Sequence, residues 1–183
     1  MVRTNIDFIG YIEKLNQEYP GYFAPEHYAA KEVILKQDKR YRSLYIIKKG
    51  ITKCYFSDEN GKDFIQEFLG EGMEFGELEV FSGILSFCSI EAVSNVDVYK
   101  ISHERYNELL VKDPVFNRLV IKAMAVKIGY KAPRHSFQQL YSIEENISRL
   151  EESFPSYNEI FSKNDIANYL GITTRSLNRI IKG

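Results

Sequence analysis

The chain of 183 residues has no tryptophan, two cysteines, three histidines and five prolines, and its charges nearly cancel at a net −1. Each shortage closes a class of function. Cys54 and Cys88 stand alone with no C-x-x-C pair, so no disulfide framework organises the chain, and it suits a reducing cytosol. Two cysteines are also too few for an iron–sulfur cluster, which takes about four thiolates. His27, His103 and His135 are scattered and form no H-x-H pair, so a cupin-type metal centre is not encoded. Haem ligation by one of them stands as an alternative to a surface or packing role. No Ser-His-Asp set, Walker-type loop or paired-carboxylate signature is present, so the chain reads as a non-enzyme with no metal or other cofactor. Long apolar runs are missing too. Asp7, Glu13 and Lys14 interrupt the first helix-like segment, leaving neither a signal sequence nor a membrane span. The expected location is the cytoplasm, with no membrane partner.

A near-neutral chain is not a polyanion binder as a whole. Any nucleic-acid surface must be a local patch, because charge acts within about 10 Å at ordinary salt. With 44% hydrophobic residues there is material for a sizeable core. Ile6, Ile9, Ile12 and Leu15 step at helical spacing and stop at Pro20-Gly21. From about residue 30 to 101 the texture becomes short β-type runs: EVILK, SLYIIK, ITKCYF, DFIQEFL, CSIEAV and VDVYKI. That spacing predicts an antiparallel β-roll or sandwich within an α+β fold. Asn60-Gly61 in DENGK predicts a two-residue hairpin turn with positive φ.

After Ile101 the pattern is helical. SHERYNELLVK is one short helix, and Asp113-Pro114 caps and opens a longer one. In it Phe116, Leu119, Ala123, Val126 and Tyr130 form one stripe, and Val120, Met124 and Ile128 another. One stripe covers the roll and the other meets a second copy, the first five residues being our expected dimer seam. A single core-facing stripe in a monomer is the alternative. Pro133 predicts a break or kink over residues 131–134. This places the boundary between a roll with its dimerisation helix, residues 1–133, and a small helical domain, residues 134–183. Ser142 and Glu145 form a capping box ahead of Ile143, Ile147 and Leu150, and Pro155 ends that helix.

The last stretch, SKNDIANYLGITTRSLNRIIKG, has the layout of a helix-turn-helix. Ser162 and Asp165 start one helix, Gly171 sits where a left-handed residue ends it, and Thr173 caps the next. Ile166, Leu170, Ile172, Leu177 and Ile180 pack the pair, with small Ala167 allowing close approach. Thr174, Arg175, Asn178, Arg179 and Lys182 stay free. Arginine can donate twice to guanine, asparagine can pair with adenine, and lysine and threonine can hold phosphates. Residues 163–183 carry four basic residues and one acid, a local positive patch suited to double-stranded DNA.

With the β-rich region ahead of it, and on FGELEVF and DIANYLGITTRSLNRI in particular, the chain resembles the CRP/FNR family of bacterial transcription regulators across nearly its whole length. The resemblance implies a cyclic-nucleotide-binding-type roll, a dimerising helix and a DNA-binding helix-turn-helix, a homodimer, and RNA polymerase as a partner. It puts Thr173, Thr174, Arg175, Asn178 and Arg179 on the face entering the major groove. The chain ends in the last turn of its second helix, so it is either a short-type regulator or a truncated one, and for this chain we expect weak DNA binding and a shallow salt dependence.

In nucleotide-binding relatives Gly-Glu-Leu opens a phosphate cassette, and an Arg-Ser/Thr-Ala triplet follows about ten residues later. Here Gly76, Glu77 and Leu78 are present, but Ser86, Phe87 and Cys88 stand near the triplet, and no Arg or Lys occurs in residues 78–99. A buried phosphate with no cation costs several kcal/mol. We therefore expect a regulator that does not respond to cAMP, with Gly76, Glu77, Leu78, Ser86, Cys88 and Ser89 as the effector pocket of an unknown small molecule, or a roll that senses nothing. Cys88 is either a thiol-reactive pocket residue or an inert core thiol. The alternative function is a roll that acts through a protein partner rather than DNA.

Overall fold

In β4 (Ser43–Lys49), Leu44 and Ile46 face one hydrophobic cluster, while Tyr45 and Ile47 face another. β9 (Val96–Ser102) repeats the split, Tyr99 and Ile101 joining the first cluster, Val96 and Val98 the second. Period-two alternation thus makes this sheet apolar on both sides, with a facing sheet on one and helices on the other. A computed structural model describes residues 1–182, apart from the side chains of His135 and Lys182, and supports this arrangement throughout.

The second cluster lies between two sheets. One has the order β1 (Val2–Arg3), β6 (Asp63–Leu69), β5 (Thr52–Ser57), β8 (Ser89–Ala92), β3 (Val33–Leu35). The other runs β2 (Ala24–Tyr28), β9, β4, β7 (Glu74–Phe75). The pairings are antiparallel except β1 with β6. The expected α+β roll is the fold. Short β1, β2 and β7 carry too little alternation to be read in advance; β2 holds Pro25, which an edge strand tolerates.

The first cluster joins the sheet to α1 (Ile6–Glu18), α3 (His103–Lys112) and the start of α4 (Pro114–Leu140) through Phe8, Ile12, Tyr106, Leu109 and Phe116. Asp113 caps α4 as expected, its Oδ1 accepting from the Val115 and Phe116 amides. A short α2 (Glu77–Ser82) follows β7, and α5 (Ile143–Ser153), α6 (Tyr157–Ile160), α7 (Lys163–Leu170) and α8 (Thr174–Lys182) complete the chain. A third cluster packs Ile147, Tyr157, Phe161, Ile166, Tyr169 and Leu177 of these helices onto Ile65 and Phe68 of β6. No helix among the described residues is long and apolar enough to cross a membrane.

Three expectations need correction. The DENGK turn is not a two-residue hairpin. Asp58 and Lys62 pair across a three-residue loop in which Gly61 alone takes positive φ, because Asp58 Oδ1 accepts from the Asn60 and Lys62 amides and holds the chain in a longer turn.

α4 does not break at residues 131–134 but continues to Leu140 with Pro133 inside it. Proline's ring and missing amide oppose the carbonyl four residues back, which here belongs to exposed Gly129, where water can take over. Arg134, next in line, ties the helix down by donating to the carbonyls of Gln66, Ile65 and Tyr169. The expected division between residues 133 and 134 therefore falls inside a continuous helix.

The expected dimer seam is largely spent within the chain. Phe116 and Ala123 are buried, Leu119 packs against the first cluster, and the Tyr130 hydroxyl lies 2.8 Å from that of Tyr169. Of those five only Val126 is exposed, while Ile121 and Ile128 share a separate open face of α4, about 150° round the helix. The curvature of the roll, which decides which stripe is covered, leaves no trace in the periodicity.

Candidate functional site

Two places are candidates for function: the cavity under α2, and the terminal helix pair. The cavity begins with backbone geometry. Gly76 has φ +90°, and a Cβ there would lie 2.8 Å from the Ser43 carbonyl oxygen, so glycine is required to turn β7 into α2. The turn sets Glu77 and Leu78 at a cavity of about 90 Å³ that Cys54 and Cys88 also line. Of the six expected pocket residues, Gly76, Glu77, Leu78 and Cys88 meet there. Ser86 and Ser89 do not: Ser86 Oγ is 2.8 Å from Glu79 Oε1 and 2.7 Å from the Cys88 carbonyl, and Ser89 Oγ accepts from the Gln37 amide.

The expectation that the cavity lacks a cation is overturned. Lys127 and Lys131 of α4 both reach its wall. Lys127 Nζ lies 2.5 Å from Glu77 Oε1 and donates to the Glu74 carbonyl at 2.6 Å; Lys131 Nζ lies 2.9 Å from Glu67 Oε1, whose other oxygen accepts from Arg3 at 2.8 Å. Burial pulls the Lys127 ammonium down, yet Glu77 and Glu74 outweigh it and hold the group above its ordinary value. Burial likewise opposes ionisation of Glu67, and Lys131 reverses that. Glu74 differs. Its Oε2 accepts from the Tyr106 hydroxyl at 2.9 Å, its Oε1 has no hydrogen-bond partner among the described residues, and burial pushes its pKa up to about 7. A hydrogen bond to Cys88, together with burial, pushes the Cys54 thiol up, the behaviour of a core thiol rather than a nucleophile.

Sequence reasoning missed these cations because it searched only near the Gly-Glu-Leu turn. One signal was available. Lys127 continues the core-facing series Phe116, Val120, Ala123, so a charge stands in register with an apolar stripe, and such a lysine needs a buried partner.

The terminal pair forms by local rules. Ser162 Oγ accepts from the Asp165 amide, Gly171 closes α7 at φ +73°, and Thr173 Oγ1 accepts from the Ser176 amide at the start of α8. Ile166, Ala167 and Leu177 are buried between the helices and the roll. Arg175 and Arg179 lie exposed one turn apart on α8, with Thr174 and Asn178 half-buried beside them. Asn178 Oδ1 accepts from Lys163 Nζ at 3.3 Å, and Thr174 Oγ1 is 3.5 Å from Asn164 Oδ1. Exposed Thr173 stands at the helix start, and the Lys182 side chain lies outside the described residues. α7 rests on β6, and Lys53 of β5 bridges Asp165 and Glu91, each at 2.9 Å.

The two histidines with described side chains share no site. His27 Nδ1 is 2.7 Å from Asp97 and His103 Nε2 is 2.6 Å from Asn107, while the His135 side chain lies outside the described residues.

Residues 25–113 match the family model described as the cyclic nucleotide-binding domain. Over 88 residues, 48% of this chain, the sequence is 30% identical to the cAMP-activated global transcriptional regulator CRP of Pasteurella multocida. The aligned stretch covers 42% of that regulator, so the chain matches less than half the length of this curated relative. The c-di-GMP-responsive global regulator CLP of Xanthomonas campestris superposes with a TM-score of 0.81 at 14% identity, covering 95% of this chain and 90% of that one. A CRP/FNR-family transcriptional regulator from Thermus thermophilus gives 0.73 at 15% identity, covering 87% and 84%.

Proposed function

With a cyclic nucleotide-binding-type domain at residues 25–113 and the overall fold of CRP/FNR regulators, the chain is one that we propose regulates transcription by binding double-stranded DNA as a two-fold dimer. The observation that carries this reading is the capped helix pair at the end of the chain, with Arg175 and Arg179 exposed on one face of α8. Spacing of this kind fits a recognition helix in the major groove, arginine reading guanine and the neighbouring Thr173, Thr174, Asn178 and Lys182 holding adenine or phosphates. Two such helices related by a dimer axis read a two-fold site, and RNA polymerase is the partner through which occupancy becomes regulation. The dimer face is the exposed pair Ile121 and Ile128, two turns apart on one side of α4.

The roll in this proposal does not take cAMP. A cavity of about 90 Å³ holds a few waters, whereas ligand pockets run to roughly 300–1,000 Å³. Its lysines are moreover already matched to Glu77 and Glu67. A second reading, a roll that docks a protein, draws on the exposed row Leu78, Phe81, Ile84, Leu85 and Phe87. Filter binding over a salt series on random and selected duplexes separates the two. DNA binding falls as salt rises, with a slope of about four or fewer phosphates per subunit, and protein docking leaves no duplex affinity at all.

A further inference from the structure

We infer that Lys127 is a tethered substitute for a diffusible effector: from α4 it enters the roll's cavity and latches that helix onto the Gly76–Glu77 turn without any ligand. The inference deepens the reading of the roll as an effector-type domain and rests on it.

Three observations lead here. Lys127 is 8% exposed, on a helix face otherwise made of Phe116, Val120 and Ala123, so its ammonium has left water for the protein interior. Such a charge is tolerated only when paired and hydrogen-bonded, and its partners lie on β7 and α2, which no other described side chain of α4 is shown to bond. The pair therefore serves as a connection between elements.

Next, the far half of α4 meets the roll through long cationic side chains. Lys127 goes to Glu74 and Glu77, Lys131 to Glu67, and Arg134 to the carbonyls of Ile65 and Gln66. Of these, Lys127 alone reaches the turn that Gly76 makes possible. Because α4 is continuous to Leu140, Lys127 and the residues that meet the terminal helices lie on one helix.

Last, what remains of the cavity is about 90 Å³, and Glu77 already accepts from Lys127. The anionic group that would greet an effector is answered from within the chain. A roll wired in this way holds its helix in one place whatever the small molecules around it.

The test uses the full chain and hydrogen exchange read by mass spectrometry. Lys127→Ala removes three methylenes and the ammonium. Exchange over residues 120–140 should accelerate at least tenfold while residues 43–57 keep their protection. n-Propylammonium chloride at tens of millimolar, which supplies the deleted atoms, should restore protection where equal sodium chloride does not. Lys127→Met, which refills the space without charge, should gain nothing from the amine. Unchanged exchange in Lys127→Ala, or equal stabilisation of wild type by propylammonium, would overturn the inference. If Lys127→Ala does not fold, Glu77→Gln decides: faster exchange over residues 120–140 supports the latch and wild-type exchange refutes it. No DNA enters these measurements, so a failure of the DNA-binding reading stays separate.

Discussion

The Arg134 guanidinium lies 4.0 Å above the centre of the Tyr169 ring and donates to the Tyr169 carbonyl at 2.6 Å, so one side chain of α4 grips α7 by stacking and by hydrogen bond together. The same group also reaches the Ile65 carbonyl at 2.8 Å and the Gln66 carbonyl on β6. Roll, long helix and terminal pair thus meet at Arg134. Arg134→Ala should destabilise the protein by about 2–4 kcal/mol, since it strands partly buried carbonyls as well as removing a stacked ion. Lysine should not rescue, because a point charge cannot stack or span three acceptors. Thermal unfolding measures this, at roughly 2–4 °C per kcal/mol for a chain of this size.

Glu74 governs a pH dependence. Its pKa rises from the ordinary 4.5 to about 7 in the folded chain, burial being the largest cause. The folded state therefore holds the proton more tightly than the unfolded one. The resulting stability is fully present below pH 4.5 and is lost as pH rises through about 7. Glu74→Gln keeps an acceptor for the Tyr106 hydroxyl and cannot ionise. Its stability should hold level from pH 5 to 8, while wild type loses on the order of 1–3 kcal/mol over that span. Parallel urea titrations of the two proteins check it, and curves of equal slope against pH would refute the assignment.

On α8, Arg175→Ala should cost about 1–3 kcal/mol at a selected operator and relax the preference at one base position. Lys182→Ala should instead weaken all duplexes alike. Gel-shift titrations against a site and its single-base variants distinguish these patterns. An operator affinity untouched by Arg175→Ala would remove α8 from the groove.

Ile128 is 70% exposed on the open face of α4. Ile128→Glu should bring two carboxylates together across a two-fold axis and yield monomer. Leu119→Glu, aimed at the originally expected seam, should fail by unfolding, since Leu119 packs on the chain's own core. Light scattering with circular dichroism reads both effects. Monomeric wild type at high micromolar concentration would end the dimer proposal.

Calorimetry with cAMP or cGMP at millimolar ligand should register no binding. The cause is not a missing arginine: cations are present, but Glu67 and Glu77 already hold them and the space is too small. A micromolar constant would mean that Lys127 leaves the cavity on binding.

Local chemistry determined much of this protein on its own. Ser142 with Glu145, Ser162, Thr173, Asp113-Pro114 and Gly171 announced helix ends that the structure realises with the same atoms, because a cap is a contact among residues within four positions of each other. Alternation in β4 and β9 likewise declared the roll, since neighbouring side chains on a strand cannot share a face. The terminal motif was legible for the same reason as the caps.

Tertiary structure alone decided the rest. Which stripe of α4 is covered depends on where α1 and the sheet lie, and the answer moved Phe116 and Ala123 from the expected dimer face into the core. Pro133 stays helical because Arg134 finds acceptors on β6 and α7. The cations of the cavity come from residues 127 and 131, some fifty positions beyond Glu77, and only folding brings them there. Charge pairing in a buried site answers to distance in space, and a sequence records only distance along the chain.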